Sequence, residues 1–431
     1  MIYTADHIVT QDPARTIIKD GALAIEGDRI AAIGSRAEIL AARPDDQIDA
    51  LGSAVIMPGL IDAHTHIPMS FQRGYADDKA LMDWLTQDIF PVETRLNHDI
   101  LRDASLFACA ELIRLGCTAF YDMYMLQSAA YEAVAQTGLR AVLGECVTKN
   151  YPSFAAKNQA EIFASIRRQA ADWRGHPRIR GAVTPHAIYT TTPALLRDCR
   201  ALADETGFLY GMHLSETQGE TRDCLSERHL RPIEYLDSLG VITPDTTFFH
   251  CVDLTPADID ILATRGAAAV HNPASNMKLA SGVAPISEMH SRGLPVALGT
   301  DGPASNNAQN MLREMYLAAL LHKVANLDPL QAPAQTVLDM ATLGGAAALK
   351  NPEIGSLEPG KKADFIALSL DTPNMRPIHN IVSNIVYAAS GLENRLTVVD
   401  GIVLYKDGDY KTLDIARVLR QADRLGDWLR S

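Results

Sequence analysis

The feature that most constrains this chain is a local unit repeated along its middle. A helix-like segment ends in a residue plus glycine, an apolar run follows, and the run closes on a polar residue. Leu115-Gly116 leads into Cys117 to Asp122, Thr137-Gly138 into Leu139 to Glu145, and Thr206-Gly207 into Phe208 to His213. Leu239-Gly240 precedes Thr247 to His250, Arg265-Gly266 leads into Ala267 to His271, and Arg292-Gly293 into Leu294 to Asp301. Glycine there suits the left-handed residue that ends a helix, and a short continuous apolar run suits a strand buried on both faces. With the run ending at His66 and another at Ile179 to Val183, the chain holds about eight such units, the number in a (β/α)8 barrel. A doubly wound open sheet has the same rhythm. However, no glycine-rich nucleotide loop follows the first strand, and polar residues close nearly every strand. The expected fold is α/β, a TIM-like barrel.

The two chain ends read differently. Ala22 to Gly34 is a pair of β-type runs joined at Gly27-Asp28, a hairpin signal, and residues 1–56 are too few to bury a core of their own. Similar pieces recur at Ala363 to Leu370 and Thr397 to Tyr405. We therefore expect residues 1–56 and 350–431 to form one small β-sandwich domain, with the catalytic barrel at 57–349 inserted between them. A chain of 431 residues is large enough for both. Gly355-Ser-Leu-Glu-Pro-Gly-Lys361 has phosphate-loop spacing, but Lys362 stands where Ser or Thr should hold magnesium, and a strand follows it. It reads as a turn re-entering the β domain.

A formal charge of -13 argues against a nucleic-acid backbone or an anionic membrane as partner. Six cysteines without a Cys-x-x-Cys, mostly in apolar runs, read as reduced core residues. There is no basic leader with an apolar signal core at the N-terminus, and the expected compartment is the cytoplasm.

Within Met57-Pro-Gly-Leu-Ile-Asp-Ala-His-Thr-His66 the strand period of two sends His64 and His66 to one side. A lone His-x-His is weak evidence for metal. In a barrel, however, all strand C-termini share one face, and that face here also carries Asp122, Glu145, His213, His250, His271 and Asp301. His64, His66, His213 and Asp301 form a nitrogen-rich set with one carboxylate, suited to Zn2+, with Fe2+ or Mn2+ as alternatives. An open position would hold a water whose pKa a catalytic zinc lowers to about 7. Glu216, three residues after His213, is the natural acid/base beside it, although a carboxylate in a first helical turn also has a purely structural use.

Several stretches resemble the amidohydrolase superfamily over essentially the whole chain. They are Pro58-Gly-Leu-Ile-Asp-Ala-His-Thr-His66, Arg73-Gly-Tyr-Ala-Asp-Asp78, Pro91-Val-Glu93, His213-Leu-Ser-Glu216, His250-Cys251, His271 to Gly282 and Gly299 to Asn307. Within it the chain is similar to the 5-methylthioadenosine/S-adenosylhomocysteine deaminases. The resemblance implies a single metal on His64, His66, His213 and Asp301, with Asp301 also taking a proton from the attacking water. It implies that Glu216 delivers the proton to the purine ring, that His250 steadies the attacking oxygen, that Glu93 binds the ribose hydroxyls, and that His186 contacts the base. It also implies hydrolysis of an adenine-type nucleoside to the hypoxanthine product and ammonia, with guanine or an s-triazine as alternative substrates. A non-catalytic scaffold is the rival from another class, and it would require lost ligands. The family's Pro in His-Ala-Pro-Tyr is Ile188 here. Glu145, with Lys149 nearby, aligns where the family carries an arginine for the homocysteine carboxylate. Glu145 is thus expected at the substrate, disfavouring S-adenosylhomocysteine relative to neutral nucleosides. A homo-oligomer, dimer or tetramer, is compatible with the sequence.

Overall fold

The glycines of the repeated unit all take the left-handed backbone their positions require. In a computed structural model, which describes residues 1–150 and 158–431, Gly116, Gly138, Gly207, Gly240, Gly266 and Gly293 have φ of 80°, 85°, 72°, 70°, 74° and 73°. An L-residue would be strained there, so each glycine stops its helix and turns the chain into the next strand. Eight strands follow in chain order: Leu60–Thr65, Cys117–Tyr124, Arg140–Val147, Ile179–Pro185, Leu209–Leu214, Thr246–His250, Ala268–His271 and Val296–Leu298. Every neighbouring pair is parallel and sequential. The circle closes where Thr65 bridges to Asp301, whose N–H donates to the His64 carbonyl at 2.8 Å. Cys117–Tyr124 and Arg140–Val147 are buried at every position, as strands covered on both faces must be. This is the expected α/β barrel.

Strands from both chain ends join in a nine-stranded mixed sheet with a continuous hydrogen-bonded path. Ala54–Pro58 pairs parallel with Ile2–Val9 and antiparallel with Phe365–Ser369, so it ties the N-terminal to the C-terminal part. It then runs through Gly59 into the first barrel strand. A Cβ at Gly59 would lie 1.9 Å from the Thr118 hydroxyl, so no larger residue fits at this junction. The hairpin turn falls at Gly27, between paired Glu26 and Arg29. The 355–361 segment is the anticipated re-entrant turn: Leu357 N–H donates to Thr10 O, and Ile30 N–H to Lys361 O.

The last helix, Ile415–Arg430, leaves this sheet and lies on the barrel. Trp428 packs edge-on against Phe71 with ring centres 5.8 Å apart, and the Arg95 guanidinium sits 4.7 Å over the Trp428 ring. Leu425 and Leu429 of this helix share one apolar cluster with Trp84, Leu85 and Ile89 of the segment that walls the cavity described below. All six cysteines are free and buried. Among the described residues no helix is long and apolar enough to cross a membrane.

Candidate metal centre and its cavity

The strand ends are irregular where the polar residues gather. Ser215, His250 and Asp301 adopt φ of 50°, 73° and 61°, left-handed values that turn their segments inward from the strand direction. Such backbone strain concentrates at functional sites. His64, His213, His250 and Asp301 present ligand atoms that all lie within 4.8 Å of one another, each side chain buried. His66 joins them, its Nε2 lying 3.2 Å from Asp301 Oδ1 and 3.3 Å from His213 Nε2.

The surrounding hydrogen bonds fix which nitrogens face the centre. His213 Nδ1 lies 3.0 Å from the His186 carbonyl, and His66 Nδ1 meets the Met123 carbonyl. A carbonyl only accepts, so both imidazoles donate through Nδ1 and turn Nε2 inward. That is the outer-shell arrangement of metal-ligating histidine. Asp301 Oδ2 accepts from the Ser275 and Ser305 hydroxyls at 2.6 and 2.7 Å, leaving Oδ1 toward the imidazoles. His64 stacks on Phe249 at 4.0 Å, and neither of its ring nitrogens has a hydrogen-bond partner. A fully buried imidazole left without a partner is costly unless something else takes its lone pair.

The electrostatics agree. Burial pushes His64 down to about 3, and His213 well below the ordinary range, so both are neutral and able to ligate. Burial works upward on Asp301, but the His64 and His66 imidazoles outweigh it and hold the carboxylate ionised. His66 is the exception. Burial pushes it down, yet Asp301 outweighs this and raises it to about 9. With His64 and His213 neutral, His66 and an ionised carboxylate beside them and an orphaned buried nitrogen, the donor set fits a single divalent metal ion, whose charge would displace the His66 proton.

This centre floors a cavity of about 410 Å³. Glu216 lines it, buried, with Oε2 3.9 Å from His250 Nε2, and burial raises its carboxyl above the usual range. Its backbone N–H donates to Glu220 Oε2 at 2.9 Å, which holds the left-handed turn at Ser215. Glu93 also lines the cavity. Its Oε1 accepts from the Tyr124 hydroxyl at 2.8 Å, and burial pushes it up to about 7. His186 faces the same space, lowered by burial to about 4, with Nδ1 3.0 Å from Thr190 Oγ1.

Two expectations are corrected. Glu145 does not reach the cavity. It is buried, accepting from Leu126 N–H at 2.7 Å, Gln127 N–H at 2.9 Å and Gln169 Nε2 at 2.6 Å. Both oxygens are consumed in capping helix Gln127–Thr137 and fixing Gln169, so none is left for substrate. His271 also turns away, pairing with His322 through Nε2 atoms 3.0 Å apart. Other residues emerge only in the structure. Trp84, Leu85, Ile89 and Phe90 form an apolar wall opposite Met123 and Met125. Leu85 to Ile89 is a π-helical turn, and no regular period marks it in the sequence. Lys149 is the one lysine or arginine among the described residues lining the cavity, its Nζ 3.1 Å from the Tyr189 carbonyl.

A parallel barrel with a buried nitrogen-rich centre at its strand C-termini defines a class of metal-dependent hydrolase. The chain belongs to the amidohydrolase family, whose model matches residues 55–404. It is 50% identical over 422 residues to a 5-methylthioadenosine/S-adenosylhomocysteine deaminase of Nitratidesulfovibrio vulgaris, covering 98% of this chain and 96% of the relative. A 5′-deoxyadenosine deaminase of Methanopyrus kandleri is 38% identical over 420 residues, with 97% of each chain covered. Among solved structures, an adenosine deaminase from Xanthomonas campestris with bound zinc superposes with a TM-score of 0.96 at 34% identity. The match covers 100% of this chain and 98% of that one.

Proposed function

We propose that this protein hydrolytically deaminates the adenine ring of a nucleoside, releasing ammonia and leaving the hypoxanthine product. The observation carrying this reading is the buried carboxyl of Glu216 beside the imidazole–carboxylate centre, at the floor of a cavity with one apolar wall. The named relatives support the adenine nucleoside as substrate class. His64, His66, His213 and Asp301 would hold the metal, zinc being the expected ion, with His250 at its edge. When bound, a divalent cation supplies Lewis acidity that makes water a nucleophile near neutral pH.

The protein's own residues then have distinct tasks. Asp301 Oδ1, held ionised, accepts a proton at the floor of the cavity. Glu216, its carboxyl raised above the usual range by burial, donates to the ring nitrogen beside the amino-bearing carbon as oxygen adds there. His250 Nε2 points toward Glu216, placing an imidazole where it steadies the incoming oxygen. The proton held by Asp301 passes to the amino group as its bond to the ring breaks and ammonia leaves, and the proton of the added hydroxyl restores Glu216 as the ring carbonyl forms. Glu93, oriented by Tyr124, takes the ribose hydroxyls, and His186 contacts the base. The apolar wall excludes water and accommodates a neutral 5′ group. Because Glu145 is not at the cavity, it does not repel a carboxylate, and Lys149 offers one a partner.

The test is purified enzyme against methylthioadenosine, 5′-deoxyadenosine, adenosine, S-adenosylhomocysteine, guanine and a chloro-s-triazine. Ammonia release and the adenine-to-hypoxanthine ultraviolet change are followed. Turnover of the adenine nucleosides is expected. Turnover of guanine or the triazine alone, or of nothing, overturns the proposal.

A further inference from the structure

Helix Met311–Asn326 is buried on one side and apolar on the other. Its inner face packs Met311, Met315, Ala318, Ala319 and His322 into the body. On the outer face Tyr316, Leu320 and Val324 are 42%, 41% and 67% exposed, and Leu327 just beyond is 90% exposed. Leu320, Val324 and Leu327 border a shallow groove that Met277 of the neighbouring helix also lines, and Tyr316 lies one turn before it on the helix. Scattered exposed apolar residues are ordinary on a soluble protein, but four in line on one helix mark a contact surface.

The spacing indicates what covers it. Positions 313, 316/317, 320, 323/324 and 327 follow the alternating three- and four-residue steps of a helix that packs lengthwise on another helix. The pattern is symmetric about 320. In an antiparallel pair, Leu320 meets its own copy, Tyr316 meets Val324, and Leu317 meets the aliphatic stem of Lys323. Charge agrees with that direction. Arg313, exposed and in no ion pair among the described residues, stands at one end, and Asp328 borders the groove at the other. Antiparallel pairing places each Arg313 beside the other copy's Asp328, whereas parallel pairing sets like against like. The third charge, Lys323, is already engaged by the Gln331 and Ala332 carbonyls at 2.6 and 3.0 Å. On a chain of net charge -13 this face, with Arg313, Lys323 and Asp328, carries no acidic excess to oppose the approach of a second copy.

We propose that the protein self-associates through helix Met311–Asn326, antiparallel about a two-fold axis at Leu320. An isologous contact of this kind closes on itself as a dimer. A foreign protein or a membrane surface is the competing occupant, and either predicts a monomer in isolation.

Sedimentation of the full-length enzyme tests this. The wild type is expected to be a dimer, with Leu320→Arg and Val324→Glu each giving a folded, active monomer. Because all six native cysteines are buried, an introduced cysteine reports proximity cleanly. Leu320→Cys should form an intermolecular disulfide under mild oxidation. Leu327→Cys should not, since antiparallel copies of residue 327 lie about 21 Å apart at 1.5 Å rise per residue. A monomeric wild type, a dimer indifferent to both charge substitutions, or cross-linking at 327 as efficient as at 320 overturns the proposal.

Discussion

Two buried polar clusters sit at opposite duties in this protein, and their hydrogen bonds tell them apart. Where the barrel meets the nine-stranded sheet, Arg140 reaches Asp364 through Nε at 2.8 Å and through Nη2 at 3.1 Å, and reaches Asp400 at 2.5 Å. Its remaining nitrogen donates to the Pro177 carbonyl, and Asp400 N–H donates back to Asp364. Arg178 and Lys362 add charge at 3.7 and 3.6 Å from Asp400. Every guanidinium nitrogen of Arg140 and both carboxylates it touches have a partner inside the protein. At the strand C-termini the reverse holds. His64 Nδ1 has no partner, and the Nε2 atoms of His64, His66 and His213 converge on one another and on Asp301 Oδ1. A cluster that satisfies itself is a clasp, and one left open toward a shared point is a binding centre.

Substitutions should separate the two. The largest effect on rate is expected from Glu216→Gln, which should keep fold and metal while kcat falls roughly a hundred- to ten-thousand-fold. A kcat within a few-fold of wild type would reduce Glu216 to a structural carboxylate. Arg140→Leu should do the opposite. Leaving Asp364 and Asp400 buried without their cation should cost about 3–5 kcal/mol of stability, read from denaturant unfolding, while kcat at permissive temperature stays near wild type. Equal losses of kcat from both variants would dissolve the distinction.

Smaller effects sharpen it. Glu145→Gln turns an amide donor toward groups that already donate, so about 1–3 kcal/mol of stability should be lost. The ratio of kcat/KM for methylthioadenosine to that for S-adenosylhomocysteine should not move, and a shifted ratio would return Glu145 to the substrate. Tyr124→Phe removes one hydrogen bond to Glu93, worth about 1 kcal/mol. KM for the nucleoside should rise roughly five-fold with kcat little changed, as measured by steady-state kinetics.

Much of this was legible in the sequence because it rests on periodicity. Left-handed glycines mark helix ends, two-residue alternation puts His64 and His66 on one side, and a barrel gathers its strand ends. What was not legible depends on which groups meet across the chain. Glu145 and His271 end their strands as His213 and His250 do. The helix start at Gln127 takes up the first, and His322 takes up the second. His250 turns inward through a left-handed backbone at a non-glycine residue, which no local pattern announces. The apolar wall includes a π-helical turn outside the barrel rhythm, and the apolar cluster it joins takes Leu425 and Leu429 from more than three hundred positions away.

The central claim is that the open cluster is a metal centre, and elemental analysis of purified protein tests it most directly. The wild type should carry one divalent transition metal per chain, and Arg140→Leu should carry the same. His64→Ala and His213→Ala should lose most of the metal, with activity falling in proportion. A wild-type enzyme found metal-free yet fully active would contradict the account.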